Sequence, residues 1–348
     1  MTPMTKAAAC AALAAAALTA ACGVRKPLPE GAELIPADTT FALSLDVQAL
    51  TSSRLYEMYQ DQAILGKNRL NFYKFAEATG LDPGKDVQRV IFLARAGEGG
   101  LEEMSGVAIG TFDGRKVSDF LKDSGLPSHD VAGMPIYEIL FLEGRCRFCV
   151  AVADASTALF GDGETLAKIA QVRAGRTAGL SSEERPGRLL RRMQRDPEAW
   201  GIIRAHDLKG PLQQALGRLD ANTGGLAALG PLQELAFSFD TAEPMRVLVE
   251  MSASSEKDAM RMADVLKGGE SLARLALEQT KPEMGRLLQD LVIEADTGLV
   301  RMAGSIPSSD VDTVVRVLGI GRMMEEISPP APPDPPEAPV FPGGASSP

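Results

Sequence analysis

The 348-residue sequence carries a formal net charge of −10 at pH 7, with 36 Lys and Arg residues against 46 Asp and Glu residues. A protein that neutralises nucleic-acid phosphates needs an excess of Lys and Arg, so this balance argues against nucleic acid as a partner. The hydrophobic content of 45% is ordinary for a globular protein with a packed core. The length suits one large or two medium domains, and four cysteines are too few for a disulfide scaffold.

The first 21 residues have the pattern of an export signal. Lys6 is followed by an almost uninterrupted stretch of Ala and Leu over 7–21. This stretch is shorter than the roughly 20 apolar residues of a membrane span, and it ends in small residues, as secretory signal peptides do. We therefore predict a signal peptide over 1–21 and a mature chain that begins at residue 22.

The sequence Leu18-Thr-Ala-Ala-Cys22-Gly23 resembles the bacterial lipobox, although Leu stands four residues before the cysteine and Thr takes the favoured Leu position. In that family the signal is cleaved before the cysteine, which is diacylated on sulfur and acylated on its new amino group. The resemblance implies a lipid anchor on Cys22, a tether over 22–38 and a membrane as partner. Gly23, rather than Asp, implies the periplasmic face of the outer membrane, by resemblance to Gram-negative lipoproteins. Plain secretion is the alternative.

Residues 39–175 form a predicted first α+β unit. Alternation of apolar and polar residues predicts a strand over 41–46, and Asp113 and Asp162 are suited to cap the first turns of helices. Further helices are predicted at about 48–62 and 65–79, and further strands at 87–94, 105–111, 135–142 and 145–152.

The second half, 200–327, repeats this order of elements, with 201–207 corresponding to 40–46. The predicted fold class is therefore α+β, with two similar units in tandem and mixed or antiparallel sheets packed with helices. A basic helix over 176–199 joins the units. The alternative is a single α+β chain that resembles a repeat by chance.

The tail over 328–348 is dense in proline and has almost no apolar anchors. Such a segment cannot bury enough surface to offset the entropy of ordering, so we predict that it is disordered.

Cys146 and Cys149 form a C-x-x-C motif. Redox motifs of this kind lie at a helix N-terminus, whereas the residues that follow here, Val150-Ala-Val-Ala153, are typical of a strand. In an extended strand the two Cα atoms lie roughly 10 Å apart, and a disulfide needs less than about 7 Å. The spacing favours two apolar strand residues. A structural disulfide requires the hairpin turn to reach into the motif, and a redox pair is the third possibility.

Arginine recurs along the joining segment. On a helical projection five arginines share a sector of roughly 120°, opposite an apolar side formed by Leu189, Leu190 and Met193. The five are Arg185, Arg188, Arg191, Arg192 and Arg195. One interpretation is a surface helix with solvated arginines, docked through its apolar side. The other is contact of the arginines with an anionic surface such as lipid head groups.

Few residues are suited to catalysis. His129 and His206 are the only histidines, and neither has a metal-ligand spacing or belongs to a nucleophile motif. The sequence also lacks the glycine-rich loops that bind phosphate. We therefore expect no catalytic residues, no metal and no cofactor.

Two short motifs suggest a family. Pro36-Ala-Asp-Thr-Thr-Phe41 opens the first strand, and Gly80-Leu-Asp-Pro-Gly-Lys-Asp86 precedes the next. Both resemble recurring stretches of uncharacterised bacterial envelope proteins with duplicated α+β halves. That family brings no established activity, so the resemblance implies architecture alone.

Because no catalytic set is found, we expect a membrane-anchored extracytoplasmic lipoprotein with a non-catalytic binding or assembly role in the cell envelope. Its partner is an envelope protein or a lipid of unknown identity. One alternative is a carrier of lipid or another apolar ligand between the two halves, for which fourteen methionines suit an adaptable lining. Another is a carboxylate-dependent hydrolase, which needs two facing acids with a raised pKa.

Overall fold

A computed structural model describes residues 27–52, 79–97, 100–142, 144–193, 197–208, 229–241, 244–280 and 282–310. The predicted signal peptide, Cys22, Arg195 and the tail over 328–348 lie outside the described residues. So does most of the two helices predicted at 48–62 and 65–79.

Twelve strands in the described residues form one sheet in which every pairing is antiparallel. They are β1 (Phe41–Asp46), β2 (Val87–Gly97), β3 (Gly100–Gly110), β4 (Ser128–Val131), β5 (Met134–Leu142), β6 (Arg145–Val152), β7 (Thr157–Gly161), β8 (Ala199–Arg204), β9 (Leu232–Asp240), β10 (Met245–Ala253), β11 (Val292–Asp296) and β12 (Leu299–Ile306). The spatial order is β11-β12-β10-β9-β8-β1-β2-β3-β7-β6-β5-β4.

Helices connect and cover these strands, which confirms the α+β fold class. In the described residues they are α1 (Val47–Thr51), α2 (Pro83–Asp86), α3 (Gly114–Asp123), α4 (Gly163–Arg173), α5 (Glu184–Arg192), α6 (Glu256–Thr280) and α7 (Pro282–Gln289). The joining helix predicted over 176–199 is shorter than expected, since among the described residues of that range only α5 is α-helical and a 3-10 turn over Leu180–Ser182 precedes it.

Helices α3 and α4 begin where the sequence predicts. The Asp113 carboxylate accepts hydrogen bonds from the backbone N–H groups of Arg115 and Lys116, and Asp162 does the same for Glu164 and Thr165. A side-chain acceptor satisfies N–H groups that have no partner inside the helix, so these caps fix the start of each helix.

The strand order is alike on both sides of the pair formed by β1 and β8, where Leu43 faces Gly201. Going outward, β1-β2-β3-β7 on one side matches β8-β9-β10-β12 on the other. In each case the chain forms a helix between the third strand and the last. The two predicted units therefore meet edge to edge within one sheet. Their origin by duplication stays a prediction.

Cross-strand pairs of glycine and phenylalanine occur on both sides of this junction. Gly201 faces Phe237, and Gly106 faces Phe160. A Cβ atom on either glycine would overlap the ring of its partner. The absent side chain lets the ring lie across the neighbouring strand, which accounts for glycine in the interior of a strand.

The main core crosses the junction between the halves. Ala42 of β1, Ile91 of β2, and Trp200 and Ile202 of β8 belong to one buried cluster, and Trp200 has no solvent exposure. Helices α4 and α5 contribute Leu166, Ile169, Leu189 and Leu190 to the same cluster. A second cluster joins α6 to the outer strands β10, β11 and β12 through Met251, Met262, Ile293 and Val300.

Candidate functional site

Cys146 and Cys149 form a disulfide within β6, with their Cα atoms 6.0 Å apart. The favoured interpretation, two unlinked strand residues roughly 10 Å apart, is therefore wrong. The error came from assuming a regular strand between them.

Bulges in the β5–β6 hairpin explain the short distance. Leu140 pairs with Phe148 and Phe141 pairs with Cys146, so Arg147 has no opposite residue on β5. One extra residue turns both cysteines to the same side of the strand. Both are buried, while Phe148 between them is exposed. Local composition does not signal the bulge, so the motif alone did not reveal the disulfide.

The disulfide belongs to the core. A Cβ atom on Gly163, the first residue of α4, would lie 3.1 Å from Cys146 Cβ and 3.2 Å from Cys149 Sγ. Exchange with an external thiol requires access to a sulfur atom, and both residues are less than one-tenth exposed. The bond therefore constrains the bulged part of β6, and α4 packs closely against it at Gly163.

Beyond the disulfide the hairpin presents a cluster of exposed apolar side chains. We call Ile139, Leu140, Phe141 and Phe148 the apolar tip; their exposures lie between 41% and 54%. Met104 on β3 is 68% exposed. Contiguous apolar patches are uncommon on monomeric soluble proteins and often mark a contact surface. No motif pointed to the tip, because strand residues of this kind are expected to be buried.

Some arginines of the basic stripe on α5 are exposed to solvent, and others bind groups within the protein. Leu189, Leu190 and Met193 are buried, as predicted for the apolar side. Arg192 donates from Nε to both carboxylate oxygens of Glu250, at 3.1 and 2.9 Å, and Arg191 donates to the carbonyl oxygen of Ser181. Exposed arginines on this helix are Arg185 and Arg188. Arg191 and Arg192, two of the five arginines considered for contact with an anionic surface, therefore bind groups within the protein.

A charged cleft of about 500 Å³ lies where β1 begins and where β2 and β8 end. Its lining residues are Asp38, Thr40, Arg95, Ala96, Glu103 and Asp207. Arg95 pairs with Asp38 at 3.1 Å, with Glu164 at 3.2 Å, and with Glu103. Lys168 of α4 pairs with Asp38 at 2.5 Å and with Glu164 at 2.8 Å.

The same cleft links the two halves. Thr40 donates to Asp207 Oδ2 at 3.3 Å and accepts from the N–H of Ala96 at 2.9 Å. Arg204 of β8 lies 3.3 Å from Asp207 and donates to the carbonyl oxygen of Ala37. The Pro36-to-Phe41 motif therefore supplies the groups that hold the start of the first half to the end of β8.

Two carboxylates that pair with Arg95 and Lys168 are held in their charged form. Burial opposes ionisation of Asp38, but the hydrogen bond and charge of Lys168, with Arg95, outweigh it and keep its pKa below 3.8, the ordinary value. Hydrogen bonds from Lys168 and Arg95 likewise lower the pKa of Glu164. A general acid needs a raised pKa to stay protonated near neutral pH. The pKa values of Asp38 and Glu164 are lowered instead, so neither carboxyl group is suited to act as a general acid.

Replacing Asp38 by Asn is expected to lower the free energy of unfolding by about 1 kcal/mol at pH 7, since exposed ion pairs contribute little. A depressed pKa in the folded state stabilises the protein above the unfolded pKa, and the contribution disappears as pH falls through the folded pKa. The difference between wild type and Asp38→Asn should therefore hold at neutral pH and shrink below pH 3.8. Urea titrations at a series of pH values measure this difference; one that grows on acidification would contradict the assignment.

The histidines and the other potential metal ligands lie apart in the part of the chain that the structure describes. No group of three or more His, Cys, Asp or Glu side chains there is placed to hold a metal ion. His206 contacts Asp207 at 3.1 Å and the carbonyl oxygen of Gln233 at 3.2 Å. His129 lies 3.4 Å from Glu138. Among the described helices, none is both long and apolar enough to cross a bilayer.

Comparison with known proteins gives little. No protein-family model and no curated protein matches the sequence. One solved structure, "Structure of crystal form I of TP0453", aligns with a TM-score of 0.43 and 9% identity, over 83% of this chain and 97% of that one. A likeness at this level transfers no function.

Proposed function

We propose that the protein is a lipid-anchored envelope protein outside the cytoplasm, with a non-catalytic binding or assembly role. The observation that carries this proposal is the Cys146–Cys149 disulfide in the core. Disulfides form and persist in oxidising compartments and are rare in the bacterial cytoplasm. The bond therefore supports export to an oxidising compartment, while the anchor on Cys22 and its place at the periplasmic face of the outer membrane are proposed from the sequence alone.

The arrangement of charges supports a non-catalytic role. In the cleft each cation faces carboxylates, and the pKa values of Asp38 and Glu164 are lowered. A carboxylate-dependent hydrolase needs the opposite shift on one acid. The paired charges of this cleft connect the N-terminal segment, α4 and β8, which is a structural use.

The carrier alternative needs an apolar space between the halves. In the described residues, Ala42, Trp200 and Ile202 fill the junction, and the cleft beside it is lined mainly by charged groups. Apolar ligands bind in pockets lined mostly by hydrophobic side chains. The binding role is therefore better supported than the carrier role.

Growing cells with an alkyne-tagged fatty acid tests the anchor. Wild type is expected to take up the label and to fractionate with membranes, whereas Cys22→Ser should lose both properties. Cys10→Ser is the matched control because Cys10 lies inside the predicted signal peptide, and it should be labelled like wild type. Label retained by Cys22→Ser, or absent from wild type, would contradict the lipidation of Cys22.

The location and the role are tested separately. Cys146 and Cys149 of the exported chain should react with a thiol reagent only after reduction and unfolding; reaction of both in the unfolded but unreduced protein contradicts an oxidising location. Crosslinking in intact cells, followed by mass spectrometry of proteins and lipids, then tests the role. One stoichiometric protein partner supports assembly, whereas lipid without a protein partner favours the carrier.

A further inference from the structure

We infer that the apolar tip of the β5–β6 hairpin is a membrane-contacting surface, which places its side chains in the interface of a bilayer that contains anionic lipid. This inference rests on the proposed function for its location, and it adds a second contact with the membrane beside the lipid on Cys22.

The exposed apolar groups lie at the same end of the hairpin, with Leu140 and Phe148 on one face and Phe141, which pairs with the buried Cys146, on the other. Leu140 and Phe148 are directly paired across the hairpin. Ser105 and Cys149 both face Gly161 of β7, and β3 and β6 run in the same direction because each is antiparallel to β7. Met104 and Phe148, the residues just before, therefore lie at the same level of the sheet. The patch extends from the hairpin to β3.

Core packing and the disulfide fix the shape of the hairpin. Met134, Ile136 and both cysteines are buried in the main core, and the disulfide closes the bulge beneath Phe148. A rigid element that already exposes its apolar groups loses little conformational entropy on contact. The fixed bulge therefore keeps these side chains exposed rather than folded onto the body.

Charge next to the tip favours a lipid surface. Arg145 and Arg147 are exposed on β6, and Arg145 lies 3.2 Å from Glu103 at the base of the patch. Both guanidinium groups belong to a chain with a net charge of −10. Exposed Phe and Leu beside Arg is the combination by which interfacial elements bind anionic lipids, apolar groups entering the acyl boundary and cations meeting the head groups.

The size of the patch is sufficient for interfacial insertion. At about 200 Å² for a large apolar residue, the tip and Met104 together present roughly 500 Å². Insertion into a bilayer interface needs no minimum area, since binding strength scales with the apolar area buried.

Geometry relates the tip to the anchor. Glu30 contacts Arg89 at one end of β2, while Glu103 contacts Arg95 six residues further on, about 20 Å along the strand. The five residues from Pro27 back to Cys22 span at most about 17 Å. Along the strand direction, the length of the tether is therefore of the same order as the separation between its attachment and the level of Glu103.

Vesicle co-sedimentation of the mature chain carrying Cys22→Ser, prepared with its disulfide formed, tests the contact without the anchor. The probe is vesicles of phosphatidylethanolamine with phosphatidylglycerol. Leu140→Ser combined with Phe141→Ser should lower the partition coefficient at least about tenfold. Leu272→Ser with Leu275→Ser is the matched control, because these side chains on α6 are 71% and 58% exposed and lie at the other end of the strand order. It should bind within about twofold of the parent chain. Equal binding by both variants overturns the proposal.

Fluorescence gives a second measurement on a chain that keeps an apolar tip. Trp200 is the single tryptophan and is fully buried, so it supplies a constant background. Phe141→Trp should shift its emission to shorter wavelength with vesicles and be quenched by doxyl-labelled lipid, whereas Leu275→Trp should not. An unchanged Phe141→Trp spectrum in the presence of vesicles overturns the inference. The inference is also overturned if the wild-type protein is a dimer in the absence of vesicles and the tip substitutions convert it to a monomer. Because acylation of Cys22 plays no part, these results are independent of the anchor test.

Discussion

Replacing Arg192 by Gln is expected to lower the free energy of unfolding by about 3 kcal/mol. The Glu250 side chain on β10 is 4% exposed, and Arg192 is its ion-pair partner. A carboxylate left in the interior without its cation costs about 3–5 kcal/mol. The lower end applies here because the Arg192 side chain is 35% exposed. Urea denaturation followed by the fluorescence of Trp200 measures the change.

Arg188→Gln is the control for this prediction. Arg188 lies on the same helix but is exposed, and surface substitutions usually change stability by no more than about 0.5 kcal/mol. A double variant, Arg192→Gln with Glu250→Gln, should recover most of the loss because it removes the unpaired charge. Equal effects of Arg192→Gln and Arg188→Gln would show that the ion pair does not stabilise the fold.

Replacing Arg89 by Met is expected to cost about 3 kcal/mol or more. The buried guanidinium of Arg89 donates to Ser44 Oγ at 3.0 Å, to the carbonyl oxygen of Pro197 at 3.3 and 3.4 Å, and to Glu30 at 3.2 Å. A buried acceptor that loses its donor costs about 1–3 kcal/mol. One side chain here serves β1, the segment before β8 and the N-terminal segment, so several losses combine.

Arg246→Met on β10 is the matched control for Arg89. Its side chain is 58% exposed and pairs with Asp240 at 3.3 Å, and the substitution removes the same charge from a strand of the same sheet. We expect a change within about 0.5 kcal/mol. A similar loss in both variants, measured by urea denaturation, would mean that the contacts of Arg89 contribute little to stability.

The sequence by itself determined the local elements. The alternation over 41–46 predicted β1 with its observed ends, and Asp113 and Asp162 predicted where α3 and α4 begin. These features depend on the side-chain period of a strand and on carboxylates that cap free N–H groups, which are properties of neighbouring residues. The signal peptide and the lipidation of Cys22 are also local inferences, which the fatty-acid labelling tests, and the disorder of the tail stays a prediction.

Tertiary structure alone decided how those elements are used. The disulfide forms because bulges, set by the pairing of β5 with β6, bring Cys146 and Cys149 to one side. Arg192 turns inward because Glu250 lies on a strand 58 positions further along the chain. The two predicted units share one sheet because β1 pairs with β8. Each outcome depends on which distant strand supplies the partner atoms, and periodicity along the chain does not contain that information.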